Sequence, residues 1–268
     1  MCTPHLPRVL RGKSRDRLLP NSTTMSTKRT VKEVIKFLEK YLPCDLSDSL
    51  VHHGSKDGGF VPNLFNRSVN PRGVSTIGKA YTVLYAPKLD PRPAVPQLYI
   101  DEVPEDAFVV LALPPECQLL EAPFVTVNNA LYGGLMSTRA QYRKALGLAI
   151  FGRVRDVAEH QALGYPVWSY SVGTTAPGPV VKVVGINVPL QIRTVSPDPN
   201  EKERIVTINP GDYLMADQGG MVRVEDNDQL DLILEYIPKR VEADTKVAED
   251  IKNGRPAAEA QKYWRSKI

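Results

Sequence analysis

The sequence predicts an α/β fold, a single domain whose strands and helices alternate through the middle of the chain while further helices pack outside at both ends. Three observations lead there. Runs of strand length, rich in β-branched and aromatic residues, recur from Ala80–Tyr85 onward, among them Phe108–Leu113, Leu148–Phe151 and Val167–Val172. Helical spacing of apolar residues interrupts these runs at 135–146 and 156–163. Helical patterns also occupy 30–42 and 227–268, outside the strand-bearing region.

Element by element, Val31, Val34, Ile35, Leu38 and Leu42 line one face of a helix over 30–42. The segment Cys44-Asp-Leu-Ser-Asp-Ser-Leu50 starts a second short helix with Asp45 or Ser47 as its cap. Pro87, Pro91, Pro93 and Pro96 mark an irregular connection within 86–97. Further strands are predicted at Phe124–Val127, Val180–Val184 and Arg204–Ile208, with two short ones flanking Gly219-Gly220. The C-terminal helical pattern is expected to break at Pro238 and again at Gly254–Pro256. The chain shows no internal repeat.

With 268 residues, 42% hydrophobic and 24% charged, the chain has enough apolar residues for a sizeable core. No apolar run approaches the ~20 residues of a membrane span, so no membrane partner is expected. The net charge of +4 is concentrated at one end. Residues 1–25 carry Arg8, Arg11, Lys13, Arg15 and Arg17 against the single acid Asp16, and the rest of the chain is neutral overall. A neutral body argues against a nucleic-acid partner, which calls for clustered positive charge. The division expected is therefore a tail at 1–25, either unstructured or a mitochondrial targeting segment, and one domain at 26–268 with C-terminal helices from about 227. Cys2, Cys44 and Cys117 are far apart and form no Cys-x-x-Cys, which fits a reducing, cytoplasmic setting.

Two segments carry candidate chemistry. In Tyr132-Gly-Gly-Leu-Met-Ser-Thr-Arg-Ala140, two glycines precede a helical stretch. Such a start either leaves backbone N–H groups open to an anion or is a plain turn. In Phe151-Gly-Arg-Val-Arg-Asp156, a strand runs into a glycine and then an adjacent Arg-Asp. Arginine can grip a carboxylate with two parallel hydrogen bonds and aspartate can hold a hard cation, although such a pair also occurs as a surface ion pair. Dinucleotide, Walker A and Gly-x-Ser-x-Gly loops are absent, and the histidines have no zinc-ligand spacing.

These segments, in order with Asp45-Leu-Ser-Asp-Ser-Leu50, Gly78-Lys-Ala-Tyr-Thr-Val83, Gly164-Tyr-Pro-Val167 and Pro210-Gly-Asp-Tyr-Leu-Met-Ala-Asp217, resemble the RraA-like family. That family includes class II 4-hydroxy-4-methyl-2-oxoglutarate aldolases, and the chain looks most like its fungal branch. The resemblance implies a compact α/β domain similar to a swivelling β/β/α fold, assembled as a homotrimer or hexamer with active sites between subunits. It implies that the loop Gly133, Gly134, Leu135 and Met136 binds substrate through its backbone. Arg155 would hold the pyruvoyl carboxylate, and Asp156 would ligate Mg²⁺ or Mn²⁺. The activity implied is metal-dependent cleavage of a C–C bond in a 2-keto acid, by retro-aldol reaction or by decarboxylation of oxaloacetate. The alternative is a non-catalytic binding role, like that of the ribonuclease E inhibitor from which the family takes its name.

The chain departs from the family pattern twice. Aldolases of the family often carry an acid where this chain has Gly134, and many members have Asp where it has Phe151. The general base therefore does not carry over, and Asp48 and Asp217 are its stand-in candidates.

Overall fold

The computed structural model describes residues 29–68 and 74–268, so the expectations for residues 1–25 lie outside the described residues. Among the described residues the α-helices are α1 (Val31–Leu38), α2 (Pro43–His52), α3 (Gly134–Tyr142), α4 (Val157–Leu163), α5 (Leu230–Lys252) and α6 (Ala257–Arg265). The strands are β1 (Phe60–Val61), β2 (Phe65–Asn66), β3 (Thr76–Pro87), β4 (Ala107–Ala112), β5 (Ala130–Tyr132), β6 (Gly147–Val154), β7 (Val167–Val172), β8 (Val181–Ile186), β9 (Leu190–Val195), β10 (Glu203–Ile208), β11 (Tyr213–Ala216) and β12 (Met221–Val224).

The centre of the sheet is the parallel set β3, β4, β6 and β7. Every residue of β4 is buried, as expected for a parallel strand covered on both faces. On the β3 side the sheet continues antiparallel through β11, β12 and β1, and β2 closes the other edge on β7. The hairpin β9–β10 stands apart as a second, two-stranded sheet.

The alternation of side chains along β11 separates two apolar layers. Leu214 and Ala216 join the main core with Phe108, Leu111, Ile150 and Trp168. Tyr213 and Met215 face the other way, where Leu38 of α1, Leu46 of α2 and Ile233, Leu234 and Ile237 of α5 cover them. The terminal helices therefore pack outside the sheet as the sequence predicts.

Local chemistry adjusts the element ends. Thr30 and Glu33 form a reciprocal capping box at α1, with Thr30 N–H donating to Glu33 at 2.7 Å. Helix α2 starts at Pro43, before the expected caps, because proline has no N–H to lose in a first turn. Asp45 then sits inside the helix, and its carboxylate accepts the Leu42 N–H at 2.8 Å. The strand expected at 124–127 is reduced to one bridge, Gln118 to Val125. Pro238 does not break α5. The donor that it forfeits is outweighed by a buried face running from Ile233 through Ile237 and Ala243 to Val247. The second break holds, with Gly254 at φ +91° between α5 and α6.

Strand β6 extends three residues beyond the expected end at Phe151. Gly152 permits this, since a Cβ there would lie 2.9 Å from Leu131 of the adjacent β5. The two strands thus run parallel to a common end, and that end carries the candidate chemistry.

Candidate active site

Strand β5 leads through Gly133 into α3, and β6 leads through Arg155 and Asp156 into α4. Both turns lie at the carboxyl ends of neighbouring parallel strands, where open α/β sheets commonly bind ligands. The turns are tied together, with the Arg155 N–H donating to the Tyr132 carbonyl at 3.0 Å. The Gly134 N–H donates to Asp156 Oδ2 at 3.0 Å, and Arg155 Nε lies 3.2 Å from the same oxygen.

This arrangement uses one oxygen of Asp156 and one nitrogen of Arg155. Asp156 Oδ1 and both terminal nitrogens of Arg155 have no hydrogen bond among the described residues. Both side chains are about one-third exposed, at 33% for Asp156 and 35% for Arg155. Asp156 itself is left-handed, with φ +59° and ψ 40°. A non-glycine residue in that region is a strained position of the kind that clusters at functional sites, and Asp and Asn tolerate it best.

The two glycines lie against the side chains of the site. Gly133 is extended, and a Cβ on it would meet Asp156 Oδ2 at 2.6 Å and Arg155 Nε at 2.9 Å. A Cβ on Gly134 would fall 1.8 Å from Glu159 Oε2. The Glu159 carboxylate therefore occupies the space that a side chain at residue 134 would fill. Glu159 is exposed, its N–H donates to the Asp156 carbonyl at 2.9 Å, and its carboxylate makes no hydrogen bond or ion pair among the described residues.

Beneath the turn lies His160, fully buried, with Nε2 2.8 Å from the Arg155 carbonyl. A carbonyl can only accept, so Nε2 carries the proton. Burial pushes the His160 pKa below its usual value, keeping the ring neutral, although the Arg155 carbonyl and the Asp156 charge oppose the shift.

The structure thus brings Gly133, Gly134, Arg155 and Asp156 together. Leu135 is 74% exposed, and its N–H has no partner among the described residues. The Met136 N–H donates to the Gly133 carbonyl at 3.1 Å, so the open donor in this loop belongs to Leu135 and not to Met136. Asp48 and Asp217 lie elsewhere in the chain. Asp217 follows β11, which runs antiparallel to β3, so it sits at the amino end of the parallel strands. It accepts the Gly219 N–H at 2.7 Å as a turn residue. Asp48 is inside α2 and pairs with Arg240 of α5 at 3.0 Å. Arg153 straps β6 to β7, donating to Ser171 Oγ and the Val172 carbonyl, each at 3.1 Å.

Sequence reasoning missed Glu159 and His160. The available signal was the spacing Asp156-x-x-Glu159, which puts two carboxylates on one side of a helix start.

Residues 43–223 match the family described as RraA-like, Aldolase/RraA. The chain belongs to this family. Among curated relatives, protein DlpA of Legionella pneumophila is 27% identical over 200 residues, covering 72% of this chain. The chain spans 28% of the length of DlpA. Two solved structures share the fold. An uncharacterized protein from Pseudomonas syringae pv. tomato aligns with TM-score 0.66 at 23% identity, over 86% of this chain and 97% of its own. RraAS2 of Streptomyces coelicolor, described as an unusual member of the RNase ES inhibitor RraA family, aligns with TM-score 0.61 at 17% identity over 85% and 100%. Among the described residues, no helix is long and apolar enough to cross a membrane.

Proposed function

We propose that this RraA-like protein is a divalent-metal-dependent lyase that cleaves a C–C bond of a 2-keto acid through a pyruvate enolate. Its reactions would be retro-aldol cleavage of 4-hydroxy-4-methyl-2-oxoglutarate, decarboxylation of oxaloacetate, or both. The observation that carries this reading is the junction of β5–α3 and β6–α4, where a free carboxylate oxygen, a free guanidinium fork and an open backbone N–H meet on one strained turn.

The donor set fits a hard cation. Among the described residues no group of three or more His, Cys, Asp and Glu side chains could hold a metal. Mg²⁺ and Mn²⁺ are commonly held by one or two carboxylates, with water and substrate supplying the other oxygens, so Asp156 Oδ1 suffices as the protein ligand. When bound, such a cation supplies Lewis-acid stabilisation of the developing enolate oxygen.

The chain's own residues do the rest. The Arg155 terminal nitrogens pair with the substrate carboxylate and fix its orientation. Gly133 keeps Asp156 and Arg155 at their mutual geometry, since a Cβ there would displace them. His160 holds the Arg155 carbonyl and so the path of the turn. By resemblance, the working unit is a homotrimer or hexamer.

The test is pyruvate release from 4-hydroxy-4-methyl-2-oxoglutarate and from oxaloacetate with Mg²⁺ or Mn²⁺, read by lactate dehydrogenase coupling against a metal-only blank. Release above the blank that chelator abolishes is expected. No release from either substrate would favour a non-catalytic role.

A further inference from the structure

We infer that Glu159 accepts the proton of the substrate's C4 hydroxyl in the aldol reaction, a role that rests on the lyase reading above. Retro-aldol cleavage needs a base at this hydroxyl, whereas decarboxylation does not. Within one chain, Asp48 and Asp217 are removed from the site and engaged, by Arg240 and by the Gly219 N–H. Asp156 already accepts from the Gly134 N–H and pairs with Arg155. Glu159 remains at this turn, its carboxylate without a hydrogen bond or ion pair among the described residues and lying over the Cα of Gly134 in the proposed substrate loop.

The position of this carboxylate is encoded by two residues together. Gly134 must lack a side chain for Glu159 to occupy its place, because the ideal Cβ lies 1.8 Å from Oε2 and 2.6 Å from Cδ. Gly134 has no positive φ, so its backbone does not itself call for glycine. A side chain at residue 134 would therefore have to displace the Glu159 carboxylate from this place. Glu159 reaches that space from the first turn of α4, three residues after Asp156, so both carboxylates converge on one turn.

The step balances as follows. The C4–O–H proton passes to a Glu159 carboxylate oxygen, and the oxygen lone pair forms the new C=O bond. The C3–C4 bond breaks and its electron pair moves into the pyruvate enolate. Returning the proton to C3 gives the second pyruvate and regenerates the Glu159 carboxylate. No oxidant or reductant is required.

The test compares the full-length protein with Glu159→Gln, Glu159→Ala and the double variant Gly134→Asp/Glu159→Ala. Both substrates are assayed, and Mn²⁺ binding without substrate is measured by electron paramagnetic resonance. Loss of a general base costs roughly 10²-fold or more. Glu159→Gln is therefore expected to lower kcat for aldol cleavage, relative to decarboxylation, by about 10²-fold, with Mn²⁺ affinity within about threefold of the parent. The double variant returns a carboxylate to this region from the opposite element, with a small shift because a Cβ at residue 134 lies 2.8 Å from that of residue 159, and is expected to recover at least about tenfold over Glu159→Ala. An equal fall in both reactions with weaker Mn²⁺ binding would make Glu159 a metal-site residue and overturn the inference. So would a folded, Mn²⁺-binding double variant with no recovery. If the parent protein turns over neither substrate, the lyase reading itself fails. If it decarboxylates oxaloacetate but Glu159→Gln leaves the ratio unchanged, the lyase reading stands and the role of Glu159 falls.

Discussion

Arg155→Lys separates a grip on substrate from a surface ion pair. In the structure Arg155 uses Nε toward Asp156 at 3.2 Å and leaves both terminal nitrogens free. Lysine keeps the charge but presents one point donor, so it can satisfy Asp156 or the substrate carboxylate, not both through a planar fork. Losing a charge-assisted hydrogen bond costs about 1.5–3 kcal/mol, which corresponds to about 10- to 150-fold in kcat/KM. The carboxylate is present in both ground and transition states, so the loss is expected mainly in KM. Stability should barely change, because an ion pair this exposed contributes about 0–1 kcal/mol. The assay is steady-state pyruvate release with urea unfolding in parallel. Unchanged kcat/KM would refute the reasoning and leave Arg155 as a surface residue, and a large fall in stability would show that it acts through the fold.

Asp156→Asn keeps the left-handed conformation available and the Gly134 hydrogen bond, yet removes the ligand charge; turnover should fall to near background and Mn²⁺ binding should be lost, with an unchanged melting temperature. Gly133→Ala should leave the protein folded but cost about 10²-fold in turnover, since its Cβ would displace Asp156 and Arg155 by a fraction of an ångström to an ångström. Arg153→Lys should do the reverse, lowering thermal stability by loosening the β6–β7 strap while sparing metal binding.

The layered α/β plan was legible because its central strands are nearly continuous apolar runs and its outer helices carry one apolar stripe. Three-residue β5 was not, since Ala130-Leu-Tyr132 between turn residues is too short for any period to register. Pro238 misled because a local rule was overridden by tertiary packing along α5. At the site, Arg155 and Asp156 were legible as an adjacent pair at a strand end. What the sequence could not convey was which oxygen each interaction uses. Glu159 was hidden for a related reason: an exposed acid in a helix's first turn reads as a solvated charge. Its position over Gly134 depends on β5 and β6 lying side by side, a contact between residues far apart in sequence.

His160 gives the fold a pH dependence whose sign can be worked out. Its folded-state pKa lies below 6.5 because burial disfavours the imidazolium. Above pH 6.5 the ring is neutral whether folded or unfolded, and its contribution to stability is fully present. As pH falls through 6.5 the unfolded chain takes up the proton first, so stability declines until the folded-state pKa is reached and then levels. His160→Gln retains a donor for the Arg155 carbonyl but cannot titrate. Urea unfolding with chelator present, from about pH 8 to about pH 5, should therefore show the parent losing stability relative to His160→Gln across the acid part of the range. Other groups titrate in both proteins and cancel in the difference. Parallel curves would mean that the ring takes up its proton equally in the folded and unfolded chain, so that burial does not hold it neutral. The neutral state assigned to the ring would then be wrong, although the Nε2–H donor to the Arg155 carbonyl is present in the charged ring as well.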